Sequence, residues 1–232
     1  MPTILITGAN RGIGLELVRQ YAADGWHVLA CCRSPENAHD LNKLAQHSNG
    51  QITLHLLDVT QAAQRAALVA QLKGQAIDIL FNSAGVSGSW SSQGFGQCQE
   101  KEWLDVLHIN VVTPMLMMQD FAANVALSER KIIANMSSKM GSITDNTSGG
   151  SYLYRSSKAA LNMVNKSAAH DLARKGIAVV ALHPGWVRTD MGGPNGELSV
   201  EESVAALKHN LANVTFADSG RLIDIDGSTI PW

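Results

Sequence analysis

Thr3-Ile4-Leu5-Ile6-Thr7-Gly8-Ala9-Asn10-Arg11-Gly12-Ile13-Gly14 opens the chain and decides how the rest is read. Thr3–Thr7 is a short, nearly continuous apolar run, as expected for a strand buried on both faces. Glycines follow at 8, 12 and 14 and permit a tight turn that brings backbone close to a bound group. A helix-like stretch, Gly12–Asp24, begins within the turn. Its first N–H groups and the positive end of its dipole suit a pyrophosphate. Alone, such a turn often just joins a strand to a helix. Its place after the first strand and at a helix start gives it weight.

Outward from this stretch the chain alternates short apolar runs with longer amphipathic ones. Thr3–Thr7, Trp26–Cys32, Ile52–Leu57, Ile77–Phe81, Lys131–Met136, Ile177–His183 and Arg221–Ile225 read as strands. Gly12–Asp24, Pro35–His47, Ala62–Lys73, Glu100–His108, Pro114–Leu127, Tyr154–Lys175 and Val200–Asn213 read as helices. This alternation predicts βαβ units in an α/β fold: a doubly wound, seven-stranded parallel sheet with helices on both faces. With 232 residues and no composition shift or repeat, residues 1–232 are expected to form one domain. The loops richest in Gly and Ser (87–96, 141–151 and 192–199) all follow carboxyl ends of strands, where open α/β sheets bind ligands.

The bulk numbers exclude several classes. A composition with 45% hydrophobic and 16% charged residues and a net charge of −2 favours neither nucleic acid nor an anionic membrane as partner. The amino terminus lacks the basic region of a secretory signal, and no apolar run approaches the ~20 residues of a membrane span. Cys31, Cys32 and Cys98 are odd in number and two are adjacent, which fits a reduced, cytoplasmic protein rather than a disulfide framework. The eight histidines have no metal-ligand spacing, so no metal is expected.

The chemistry-bearing pair is Tyr154 and Lys158, four apart and therefore on one helix face. Tyr152, six from Lys158, falls on another face. A free tyrosine has a pKa of ~10, and a nearby ammonium lowers it, so Tyr154 is expected to exchange a proton with a carbonyl or alcohol oxygen. A serine–histidine hydrolase reading is poorer for want of a Gly-x-Ser-x-Gly elbow, and His183 reads more as a packed strand residue than as a base.

The spacing Thr7-Gly8-x-x-x-Gly12-x-Gly14, taken with Tyr154-x-x-x-Lys158, resembles the short-chain dehydrogenase/reductase family, whose members have a single Rossmann domain. The resemblance runs along the chain. Asp58-Val59 matches the family's adenine contact. Asn82-Ser83-Ala84-Gly85 resembles Asn-Asn-Ala-Gly, with Ser83 a departure. Asn110 matches the asparagine that holds a water on the lysine. Pro184-Gly185, Val187 and Thr189 match the segment that holds the nicotinamide carboxamide. The ending, Asp226-Gly227 and Pro231-Trp232, is similar to the C-factor-like carbonyl reductase branch.

The resemblance implies Ser138, Tyr154, Lys158 and Asn110 as catalytic residues. Ser138 fits because Gly141 follows three positions later. Ser137 lacks that glycine, and Ser142 is a weaker alternative. The Ser138–Tyr154 interval exceeds the usual family spacing by a few residues. The expected cofactor contacts are Gly8, Asn10, Arg11, Gly12, Ile13, Gly14, Arg33, Asp58, Val59, Asn82, Ala84, Gly85, Tyr154, Lys158, Pro184, Gly185, Val187 and Thr189. The second strand ends Cys31-Cys32-Arg33, without the acid that binds ribose hydroxyls in NAD-preferring members. Arg33 and Arg11 could flank a 2′-phosphate, so NADP(H) is the preferred cofactor, with NAD(H) tolerated.

Val86, Ser87, Met140, Trp186 and Met191 are expected to line a mostly apolar substrate pocket for a small carbonyl compound or its alcohol. Asp190–Ser199 is either a short lid or a passive loop. Small residues on Pro114–Leu127 and Tyr154–Lys175 suit a homodimer or homotetramer. The competing reading is a non-catalytic NADP(H)-binding sensor or cell-signalling protein.

Overall fold

Strand β1, Thr3–Thr7, is buried along its whole length and alternates its side chains between two cores. Ile4 and Ile6 face a cluster with Leu17, Val18, Tyr21, Leu41, Val204 and Leu207, while Leu5 faces the opposite one with Leu68, Met117, Phe121 and Val125. The period of two in a strand splits every apolar run this way, so the run must be apolar throughout. The computed structural model describes residues 1–232 and contains one seven-stranded parallel sheet, ordered β3-β2-β1-β4-β5-β6-β7.

The remaining strands are β2 (His27–Cys32), β3 (Ile52–Leu56), β4 (Ile79–Asn82), β5 (Ile132–Met136), β6 (Ala178–Leu182) and β7 (Leu222–Ile223). The helices are α1 (Gly12–Ala23), α2 (His39–Gln46), α3 (Ala62–Gln71), α4 (Glu100–Leu107), α5 (Thr113–Ala126), α6 (Tyr152–Asp171) and α7 (Val200–Asn213). Buried residues of α1, α2 and α7 cover one face of the sheet, and those of α3, α5 and α6 the other. The expected doubly wound α/β architecture is present. No helix is long and apolar enough to cross a membrane.

Strand order reverses between β1 and β4, and the crevice at a reversal is where such sheets hold ligands. The Thr7 hydroxyl receives the amides of Ser83 and Ala84, each at 3.1 Å, and so ties the ends of β1 and β4 together there.

Several boundaries differ from the sequence expectation. The expected helix Pro35–His47 is a 3₁₀ turn, Pro35–Asn37, followed by α2. The terminal strand shrinks to two residues. α6 begins earlier and ends at Asp171, with a 3₁₀ turn over Ala173–Lys175. The two helices expected around residue 110 are one continuous right-handed run, joined by a π turn at His108–Val112. Pro114 has no N–H, so the Asn110 carbonyl lacks its α-helical donor and the backbone widens there.

Candidate active site

The glycine turn is built by close approach. Gly8 and Gly12 adopt φ of +68° and +52°. A Cβ on Gly8 would lie 3.0 Å from the Ala84 Cα, and one on Gly14 would lie 2.1 Å from the Gly8 carbonyl oxygen. No side chain caps α1, and Leu15 N–H is bonded back to the Arg11 carbonyl at 3.2 Å. An uncapped helix start at the sheet reversal fits a phosphate-bearing cofactor. Because the atom opposing Gly14 is backbone, Gly14→Ala should destabilise the fold by about 1–3 kcal/mol. That corresponds to a fall in Tm of roughly 3–10 °C for a chain this size. An unchanged thermal unfolding curve would mean that the turn yields without cost.

The residues named for the rest of the cofactor lie along the same edge. The Asp58 carboxylate receives Thr60 N–H and Oγ–H at 3.0 and 2.7 Å, while Val59 is buried. Asn82 donates to Asn135 Oδ1 at 2.8 Å, which fixes the end of β4 to β5. Arg33 is exposed at the end of β2. Arg11 is instead ion-paired with Asp190 at 2.9 Å, the two side chains being 71% and 84% exposed. A pair this open is worth ~0–1 kcal/mol, so the guanidinium is held only weakly. Beyond β6, Pro184 accepts Ser203 Oγ–H at 2.7 Å, and Gly185 has a φ of +80°. The segment from Val187 to Leu198 folds tightly on itself. Trp186 Nε1–H donates to the Gly192 carbonyl at 2.8 Å, the Gly192 amide donates to Thr189 Oγ1 at 3.1 Å, and Arg188 and Leu198 join the two limbs.

β5 delivers three serine candidates to the sheet edge, and their bonds separate them. Ser137 donates to Asn162 Oδ1 at 2.5 Å. Ser142 donates to the Pro231 carbonyl at 2.6 Å and accepts the Asp145 amide. Ser138 accepts the Met140 amide at 3.1 Å, and its hydroxyl is the one near enough to the Tyr154 phenol to draw its pKa down. Gly141 has a physical reason to follow: its missing Cβ would lie 2.7 Å from the Lys158 backbone, so the turn after Ser138 packs directly on α6.

Tyr154 and Lys158 share the α6 face turned toward Ser138. The expectation that Lys158 lowers the phenol pKa is not met. Burial raises Tyr154 above its usual 10, opposed only by the Ser138 hydroxyl. The Lys158 Nζ is 5.5 Å from the Tyr154 ring centre and donates to the Met136 carbonyl at 2.8 Å. Burial pushes Lys158 itself down to about 8.

Asn110 is fixed through its side chain. Its Oδ1 receives Val86 N–H at 2.9 Å, while its Nδ2 donates to the Val86 carbonyl at 2.7 Å and to Ser157 Oγ at 3.0 Å. With both ends engaged, it ties the segment after Gly85 to α6. His183, just past β6, is held below its usual 6.5 by burial, as suits a packed residue.

Around the mouth, Trp186 and Met191 are exposed, Met140 follows Ser138, and Ser87 donates to the Gly88 carbonyl at 2.8 Å. Two neighbours escaped the sequence reading. The Trp90 ring meets Tyr154 edge-on at 5.7 Å, and Gln93 is buried against the start of α6. A Ser/Gly-rich loop carries no periodicity from which either contact could be read. A separate groove of about 600 Å³ lies between α1, α2 and the start of α7. Its buried carboxylate, Glu16, is already held by Arg19 and Gln20.

This geometry has counterparts. The chain is 38% identical to C-signal of Myxococcus xanthus over 156 residues, 67% of this chain and 93% of that protein. It superposes on carbonyl reductase Sniffer of D. melanogaster with a TM-score of 0.93 and 35% identity, covering all of both chains. It superposes on NADPH-bound carbonyl reductase from chicken fatty liver with a TM-score of 0.91 and 34% identity, covering 100% of this chain and 99% of that one. The short chain dehydrogenase family model matches residues 2–198, and the chain belongs to that family, close to its carbonyl reductases.

Proposed function

We propose that this protein is an NADP(H)-dependent carbonyl reductase, acting on a small apolar or aromatic carbonyl compound or its alcohol. The observation that carries the reading is the convergence of Tyr154, Ser138 and Lys158 beside the uncapped start of α1. The NADPH held by the chicken liver relative supports the cofactor. A non-catalytic sensor would leave the tyrosine, serine and lysine without a use.

Gly8, Asn10, Arg11, Gly12, Ile13 and Gly14 would hold the pyrophosphate, with Arg33 on the 2′-phosphate and Asp58 and Val59 at the adenine. Asn82, Ala84 and Gly85 would line the middle of the cofactor, and Pro184, Gly185, Val187 and Thr189 the carboxamide. When bound, the reduced nicotinamide supplies a hydride to the carbonyl carbon. Tyr154 donates its phenolic proton to the carbonyl oxygen, and Ser138 hydrogen-bonds that oxygen as charge develops. In the reverse direction the tyrosine takes the proton back. Lys158, 5.5 Å from the centre of the Tyr154 ring, would bind the nicotinamide ribose beside the phenol. Ser87, Met140, Trp186 and Met191 form the substrate side.

The test is oxidation of NADPH and NADH with a panel of ketones, aldehydes and quinones, run beside Arg33→Ala. The native protein should turn over with NADPH in preference to NADH. Losing a charged contact worth ~1.5–3 kcal/mol, Arg33→Ala should raise the NADPH KM about tenfold or more and leave NADH nearly unaffected. No turnover across the panel despite tight NADPH binding would defeat the reductase reading.

A further inference from the structure

Gln93 lies in a loop rich in Ser and Gly, yet it is 1% exposed. A buried amide is costly unless its polar atoms are paired, and those of Gln93 are. Its Oε1 receives the Tyr154 amide at 3.0 Å, its Nε2 donates to the Ser87 carbonyl at 2.9 Å, and its main-chain carbonyl receives the Tyr152 amide at 3.2 Å. These bonds meet a need left open by the local sequence. α6 starts after Ser151, which has a φ of +48° and supplies no side-chain cap. First-turn amides of a helix require partners, and here a distant loop provides two.

The same loop reaches the tyrosine ring. Trp90, three residues before Gln93, packs edge-on against Tyr154. On its outer side the loop is held by Glu102 of α4, whose carboxylate receives Ser89 N–H and Ser92 Oγ–H, both at 2.5 Å. The segment from Ser87 to Gln93 is thus strung between α4 and the first turn of α6. Ser87, assigned to the substrate side, sits at one end of it.

We propose that Gln93 is a positioning residue for Tyr154, fastening the substrate-side loop to the turn that aims the phenol. This rests on the reading of Tyr154 as the proton donor. Proton transfer needs a heavy-atom approach of ~2.6–3.2 Å. A displacement of ~1 Å can cost about a hundredfold in rate. A substrate contact at Ser87 therefore bears on the orientation of the tyrosine through Gln93.

Two variants test it. Gln93→Met keeps the length of the side chain and removes both of its hydrogen bonds. Gln93→Glu, while protonated, can still accept from Tyr154 and donate to Ser87. Gln93→Met should lower kcat by about 10- to 100-fold, with a much smaller change in the cofactor KM. Gln93→Glu should recover kcat at low pH and lose it as the new carboxyl ionises, adding an inflection absent from the native profile.

A readout without turnover comes from tyrosine labelled with ¹³C at the ζ carbon, since the chain has only three tyrosines. The Tyr154 resonance should move in Gln93→Met, while Tyr21 on α1 should not. The proposal is overturned if Tyr154 resonance and kcat both stay put in Gln93→Met. It is equally overturned if both variants lose kcat at every pH in step with a fall in Tm, since that is a structural cap and nothing more. If Tyr154→Phe keeps its turnover, the proton-donor reading fails and this proposal with it. An inactive Tyr154→Phe beside an unperturbed Gln93→Met removes only the role of Gln93.

Discussion

Tyr154→Phe should lower kcat by about a thousandfold in either direction, in the middle of the 10²–10⁴ range that general acid–base catalysis supplies. That is roughly 4 kcal/mol of transition-state stabilisation. The change removes one hydroxyl and keeps the ring, so the edge-on contact with Trp90 survives and what is lost is the polar interaction with Ser138. NADPH affinity and Tm should therefore change little.

The pH profile gives a second check. Burial holds the phenol above its usual value, so the protonated acid dominates through neutral pH. Reduction should be level there and fall at alkaline pH, whereas oxidation, which needs the phenolate, should rise toward alkaline pH. Both limbs belong to the Tyr154–Lys158 pair jointly. Steady-state kinetics on the native protein and the variant, from pH 6 to the most alkaline pH the fold withstands, would measure this. Turnover in Tyr154→Phe within a few-fold of native would remove Tyr154 from the chemistry.

Lys158→Met should abolish measurable turnover and stabilise the fold at neutral pH. In the folded protein Lys158 loses its proton near 8 rather than at 10.5, because burial penalises the ammonium. Between those values the unfolded chain binds more protons than the folded one, so native stability rises with pH across that window. Below it, the native protein carries the full cost of a buried charge. At ~1.4 kcal/mol per pH unit, that cost is on the order of 3 kcal/mol. Methionine fills a similar volume without charge but gives up the bond to the Met136 carbonyl.

A net gain of about 1–3 kcal/mol at pH 7 would raise Tm by several degrees. The gain should be full below pH 8, shrink as pH rises and disappear by about pH 10.5. Thermal unfolding of both proteins at pH 7 and pH 10 decides it. A variant less stable than native at pH 7 would show that the lysine is not a liability to the fold. A residue that costs stability while serving a site is expected where function requires a buried charge.

Much of this was legible in the chain. Seven apolar runs alternating with helical stretches specified a parallel sheet, because strands covered on both faces must be apolar throughout. Gly8, Gly12 and Gly14 and the Tyr154–Lys158 interval are local patterns. A tight turn and a single helix face bring their members together without help from elsewhere. What sequence could not supply was any contact between distant segments. The spacing to Gly141 already favoured Ser138, but that Ser142 is occupied by Pro231, nearly ninety residues away, could not be read. The side-chain partners of Asn110, Val86 and Ser157, likewise lie on other segments. The sign of the Tyr154 shift was misjudged because spacing reveals that a lysine is near but not how deeply both groups are buried.

Local sequence therefore determined the elements and the pairing of Tyr154 with Lys158 on one helix face, since both follow from short-range periodicity. Only the tertiary structure decided what occupies Ser137 and Ser142, what caps α6 and how the phenol is poised, because burial and hydrogen-bond partners depend on the packing of the whole chain.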